Sequence, residues 1–232
     1  MANAGDTIEN PLTGERITFL KTTRETNGEL LRFEYLLPPG FSIPEHVHPR
    51  QEERHEIVSG TLKGRVAGHE RVYVEGQRVV GPADVPHAWR NPSDAEGLLI
   101  VSELRPALRF EPLIEAVFAI AEDSKIGKMA VPGRLLRMAV LLDESRDDFY
   151  PTQIPMPVWK ASLALNAALA RVGRLLGYDN GYARLEHVPE ARRSGPARIS
   201  GGGAVFLATG SLAVLAFALL RRRGGRRKIL WG

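Results

Sequence analysis

Residues 40–60 read GFSIPEHVHPRQEERHEIVSG, and residues 76–91 read GQRVVGPADVPHAWRN. Their spacings are G-x5-H-x-H-x4-E-x6-G and G-x5-P-x-D-x2-H-x3-N. On a strand, side chains two apart share a face, so His46 and His48 present two imidazoles to one cavity. Pro49 interrupts that strand, and the restart of the next resets the alternation, so that Glu53, His55 and Ile57 share its inward face. His87 is remote in sequence and meets the others only if the sheet closes on itself. Five of the six histidines fall between residues 46 and 87, which makes this region the strongest chemical signal in the chain.

The flanks agree with a closed sheet. From Arg16 to Leu104 short β-prone runs recur, RITFL, LLRFEYLL, TLKGRV, RVYV and GLLIVSEL, separated by PPG, SG, AG, EG and NPSD. Many short strands at close spacing predict a β-sandwich or barrel. After Pro106 the period changes to that of helices. Leu113, Val117 and Ile120 share a face, and Pro132 stands where a first helical turn accepts it, before GRLLRMAVLLDES. Pro155 to Leu176 places Trp159, Leu163, Asn166, Leu169, Val172 and Leu176 on one face. These helices are expected to cover the β domain or one another.

The chain has 232 residues, 44% hydrophobic and 25% charged, enough for one domain with a real core plus additions. It has no cysteine, which excludes disulfide frameworks, Cys-ligated zinc or iron–sulfur sites and a cysteine nucleophile. Net charge is +4, but residues 221–228 (RRRGGRRK) carry six positive charges and no acid follows Ile199, so residues 1–198 stand near −2. A near-neutral body gives no reason to expect a nucleic-acid partner. The first 20 residues lack the basic start and apolar stretch of a secretory signal. Residues 199–220 hold 22 residues without a charge, about 33 Å as a helix, against a hydrocarbon core of about 30 Å. One C-terminal transmembrane helix is therefore expected, with residues 199–228 against lipid. The protein is expected at the membrane; a cytoplasmic tail at 221–228 would put the main body outside, but nothing at the N-terminus would export it, so a cytoplasmic body is the expectation taken. Phosphate-loop, dinucleotide, G-x-S-x-G and H-E-x-x-H motifs are absent from the sequence.

The two histidine runs resemble the paired signature motifs of the cupin superfamily, over Arg16 to Arg109. The second motif usually has Gly where this chain has Asp84. Gly there permits positive φ in a tight turn, and Asp is among the next most tolerant residues. The stretch PALRFEPLIEAVFAIAEDSK resembles the helical extension of some bacterial cupin proteins. The resemblance implies a mainly β chain. A double-stranded β-helix, or jelly roll, would form a barrel with an apolar, metal-lined mouth, followed by an α-helical extension; such barrels commonly support homodimers. The expected organisation is an N-terminal arm (1–15), barrel (16–109), helical extension (110–178), polar linker (179–198), transmembrane helix (199–220) and basic tail (221–232).

His46, His48, Glu53 and His87 would make a site of three imidazoles and one carboxylate with formal charge −1. Such a site suits a divalent transition metal, Fe, Mn, Zn, Ni or Co, and leaves two positions of an octahedral ion open. Glu52 is the alternative carboxylate. His55 faces inward, either as a satisfied core histidine or as a donor and acid–base group behind the ligands. His69 reads as a hairpin tip and His187 as linker. Two classes of function follow. One is a metal-dependent enzyme, an oxygenase or isomerase, acting on a small organic molecule. The other is a non-catalytic module that binds or senses a metal or small ligand, a role also open to metal-free cupins. Fold cannot choose between them.

Overall fold

The computed structural model describes residues 2–125 and 131–178. Eleven strands and three helices occur among them, in the order β1 (Thr7–Glu9), β2 (Arg16–Lys21), β3 (Leu31–Leu37), β4 (Ser42–Val47), β5 (Glu52–Ser59), β6 (Thr61–Val66), β7 (His69–Val74), β8 (Arg78–Gly81), β9 (His87–Arg90), β10 (Leu98–Arg105), α1 (Phe110–Lys125), α2 (Val131–Glu144), β11 (Tyr150–Pro151) and α3 (Met156–Leu175). The strands form two antiparallel sheets, β1-β2-β3-β10-β5-β8 and β11-β4-β9-β6-β7.

The period-two pattern fixes which side chains meet. Leu31, Phe33, Tyr35 and Leu37 of β3 are buried, and so are Leu98, Ile100, Ser102 and Leu104 of β10. The register sets Tyr35 opposite Ile100 and Phe33 opposite Ser102. These residues, with Ile57 of β5 and with Leu62 and Trp89 from the second sheet, make one core between the sheets. Gly64 of β6 is required by that core: a Cβ there would stand 2.9 Å from Trp89 Cζ3. On the exposed edge strand β7 the residues His69, Glu70 and Arg71 are polar, as an unpaired edge favours.

Helix α1 covers the barrel through two aromatic rings. Phe118 of α1 is 1% exposed within the barrel core, and the Phe110 ring stacks on Phe33 at 6.1 Å. The opposite face of α1, Leu113 and Ala116, meets Leu141 of α2. The buried face of α3 is Trp159, Asn166, Ala170 and Gly173, whereas Val172 and Leu176, expected on the covered face, are exposed. The reason is close approach: Gly173 lies where a Cβ would be 2.8 Å from Val140 Cγ2 and 3.0 Å from the Leu136 carbonyl, so the small residues turn toward α2.

The expectation of a transmembrane helix, and the membrane localisation built on it, is corrected. Among the described residues no helix is long and apolar enough to cross a membrane. At 16 and 14 residues, α1 and α2 fall short of the roughly 20 a span needs, and the 20-residue α3 carries Lys160, Asn166, Arg171 and Arg174. The segments read as linker (179–198, with His187), span (199–220) and basic tail (221–232), together with the lipid contact over 199–228, lie outside the described residues.

Candidate metal centre

The inward alternation that builds the core also builds a polar cluster at one end of it. On β5, Glu53 and His55 are buried and Ile57 continues the same face, while Arg54 and Val58 point outward. His46 ends near the tip of β4 and His48 follows one residue beyond it. His87 opens β9 and pairs with His46 in the register. Two loops then tie the motifs together. The Asp84 N–H donates to the His48 carbonyl at 2.8 Å, and Asp84 holds φ 60°, the left-handed value that explains why Gly is usual there. Asn91 closes the far end of β9 by donating Nδ2 to the carbonyls of Leu37, Pro38 and Glu96, at 2.8–3.2 Å.

One ligand atom from each of His46, His48, Glu53 and His87 lies within 4.8 Å of the other three. None of the four residues is more than 6% exposed. The three imidazoles are oriented alike. His46 Nδ1–H donates to the Pro44 carbonyl at 2.8 Å, His87 Nδ1–H to Val85 at 2.8 Å and His48 Nδ1–H to Asp148 at 2.9 Å. Carbonyls only accept, so each ring carries a hydrogen on Nδ1, and in its neutral form turns an Nε2 lone pair inward. His46 Nε2 and His48 Nε2 stand 3.2 Å apart, two lone pairs facing each other, and His87 Nε2 is buried without a hydrogen-bond partner. Nitrogens bound at about 2.1 Å to one ion, at angles between the octahedral and tetrahedral values, would stand about 3.0–3.4 Å apart. The residues present therefore fit a cation: His46, His48, Glu53 and His87 are positioned to bind a metal.

Glu53 sits at the centre of the charge balance. Its Oε2 accepts from Trp89 Nε1–H at 2.8 Å and lies 3.2 Å from His87 Nε2 and 3.9 Å from His46 Nε2; its Oε1 lies 3.3 Å from His55 Nε2. The approaches of His55 and His87 are close enough for charge interaction but lie off the hydrogen-bond direction. Burial alone would raise the Glu53 pKa, but His55 and His87 beside it outweigh burial and hold the carboxyl well below its ordinary value. Burial, then the neighbouring His48, pushes His46 down to about 3, and burial lowers His48. For His87 burial acts downward, but the Glu53 carboxylate prevails and the pKa is raised. At neutral pH the site so offers neutral His46 and His48 and an ionised Glu53, as metal binding requires.

The other residues singled out from the sequence are placed as follows. Glu52 pairs with Arg54 away from the cluster, so it does not join the four. His55 is 2% exposed, bonded through Nδ1 to Ser102 Oγ at 2.9 Å and facing Glu53 through Nε2. His69 is exposed at the start of β7. Two contributors escaped the sequence reading. Trp89 had a signal, since it lies two residues from His87 on one strand face. The Asp148 carbonyl had none, because any residue supplies a carbonyl and only the fold brings that one to His48.

Residues 33–103 match the family model described as the cupin domain. No curated protein matches the chain. Similar solved structures include an RmlC-like cupin from Shewanella frigidimarina, 22% identical over 46% of this chain and 89% of that one, TM-score 0.39. A Thermotoga maritima protein described as a predicted oxalate decarboxylase is 18% identical over 44% and 90%, TM-score 0.39. KdgF from a Halomonas species is 17% identical over 40% and 78%, TM-score 0.35.

Proposed function

With residues 33–103 a cupin domain, we propose that the protein binds one divalent transition metal through His46, His48, Glu53 and His87 and uses that centre on a small organic molecule. The observation that carries the reading is the common orientation of three imidazoles whose Nδ1–H groups are all taken by carbonyls while their Nε2 atoms converge with a carboxylate. When bound, such an ion would supply Lewis acidity toward an oxygen of the small molecule or redox chemistry toward dioxygen. The protein's part is positional. The carbonyls of Pro44, Val85 and Asp148 fix the rings, Trp89 orients the Glu53 carboxylate, and that carboxylate offsets one unit of the ion's charge. His55, anchored on Ser102, stands 3.3 Å behind the carboxylate. The set of three nitrogens and one oxygen suits Fe, Mn, Co, Ni or Zn alike. A metal-dependent oxygenase or isomerase is the enzymatic form of this proposal. The burial of all four residues, none above 6% exposed, favours a second form, a module that holds its metal without turnover.

Metal analysis of purified protein after supplementation tests the reading. About one equivalent of a transition metal is expected, falling below about a tenth in His87→Ala with the circular dichroism of the barrel retained. Equal content in the two proteins would remove the proposed site. Substrate-dependent oxygen uptake or isomer formation, lost with the metal, separates the enzyme from the binding module.

A further inference from the structure

His46 and His87 have their ring hydrogens held within their own turns, each by a carbonyl two residues back. His48 does not: its Nδ1–H is taken by Asp148, 100 residues further along, between α2 and β11. The segment that supplies this carbonyl is fastened across the β4 end of the barrel. Arg50 Nη2 pairs with Asp148 Oδ1 at 3.1 Å, Tyr150 and Pro151 pair with Val47 and His46, Thr152 Oγ1–H donates to Glu45 Oε1 at 2.6 Å, and Gln153 Nε2–H donates to the Glu45 carbonyl at 2.9 Å. Between these ties Phe149 sets its ring 6.3 Å from that of His48 and also packs against the cluster that Leu113, Ala116 and Leu141 form in the helical extension.

We propose that residues 145–153 are a strap that completes the metal centre. Its Asp148 carbonyl keeps His48 Nε2 turned inward, and its Phe149 ring covers His48, so that an ion reaches the four side chains only when the strap lifts. A lone imidazole can rotate or exchange its tautomer. One held by a carbonyl on a docked segment keeps its lone pair aimed only while that segment stays docked. Ion binding and docking of the strap therefore reinforce each other, by the reciprocity that couples any two equilibria sharing one state. Asp148 and Phe149 are positioning residues, acting through His48. The inference rests on the metal reading above; only the hold of the Asp148 carbonyl on His48 stands without it.

The test uses the full chain and Co2+ as the probe. Stopped-flow absorbance is expected to show Co2+ entering and leaving Phe149→Ala at least about tenfold faster than wild type, with Arg50→Ala intermediate and Phe149→Leu close to wild type. Amide hydrogen exchange across residues 145–153 should slow on loading. Histidine nitrogen NMR of the metal-free protein gives an arm that needs no metal: His48 is expected as the Nδ1–H tautomer, averaging between tautomers in Phe149→Ala and Arg50→Ala. If wild type takes up no Co2+, the metal reading falls while the tautomer arm still decides the hold of the Asp148 carbonyl on His48. Unchanged tautomer populations in both variants, or Co2+ exchange at wild-type rates in both, overturns the strap. Arg50 is largely exposed, so its variant keeps the test open should Phe149→Ala fail to fold.

Discussion

At the scale of single residues, the centre is a set of groups whose proton affinities the fold has moved apart. His46 is pushed to about 3 from its ordinary 6.5, so between those values the unfolded chain binds a proton that the native site excludes. Stability of the metal-free protein therefore falls as pH falls through that window, by about 3 kcal/mol at pH 4.5 from His46 alone. His48, also lowered, adds to the loss below 6.5. Glu53, held low, adds to it as pH drops through its native value. His87 acts oppositely: its raised pKa stabilises the native state at low pH, and that contribution fades as pH rises through the raised value. The lowered groups outnumber it, so the urea midpoint of metal-free protein is expected to be lower at pH 4.5 than at pH 7.5. A midpoint that holds constant or rises toward acid would contradict the assigned protonation states. His55 shows a further point at this scale. The sequence left it between core histidine and supporting donor; the fold buries it with Ser102 on one nitrogen and Glu53 3.3 Å from the other, off the hydrogen-bond direction.

At the scale of elements, ligand positions depend on residues that carry no chemistry themselves. Gly81, last residue of β8 and opposite Glu53 in the register, lies where a Cβ would be 2.9 Å from both Cγ and Nδ1 of His87. The ring cannot yield without leaving the Val85 carbonyl or the cluster. Gly81→Ala is expected to weaken metal affinity at least about tenfold, with the β circular dichroism unchanged. Competition with a chromophoric chelator measures it, and wild-type affinity would show that His87 has room the geometry denies. The strand alternation of β3, β5 and β10 was readable in advance, because burial on one face imposes a period of two. The buried face of α3 was read wrongly in part: Val172 and Leu176 are exposed, since apolar periodicity reports where large side chains fall and is blind to glycine and alanine faces that admit a neighbouring backbone.

At the scale of the whole molecule, the first helix of the extension enters the barrel core, while α2 and α3 pack in clusters of their own. Phe118 enters the barrel cluster from α1, and Phe149 returns from beyond α2 to lie beside His48. Removing the Phe118 ring leaves a cavity at that junction. Phe118→Ala is expected to cost about 3–5 kcal/mol in urea unfolding. A cost under about 1 kcal/mol would mean that α1 contributes little to the barrel it covers. The expectation for residues 199–220 was made from a charge-free run and the basic cluster that follows it; those residues lie outside the described ones, among which no helix is long and apolar enough to cross a membrane.

The sequence by itself determined the barrel and the four side chains its histidine runs put forward. Strand alternation and motif spacing are local, and a closed sheet is the arrangement that unites positions 46 and 87. Only the tertiary structure decided which ring nitrogens turn inward, that Trp89 donates to Glu53, and that a carbonyl from residue 148 holds His48. Those are matters of direction between groups distant along the chain, and backbone atoms, identical at every position, leave no mark of them in the sequence.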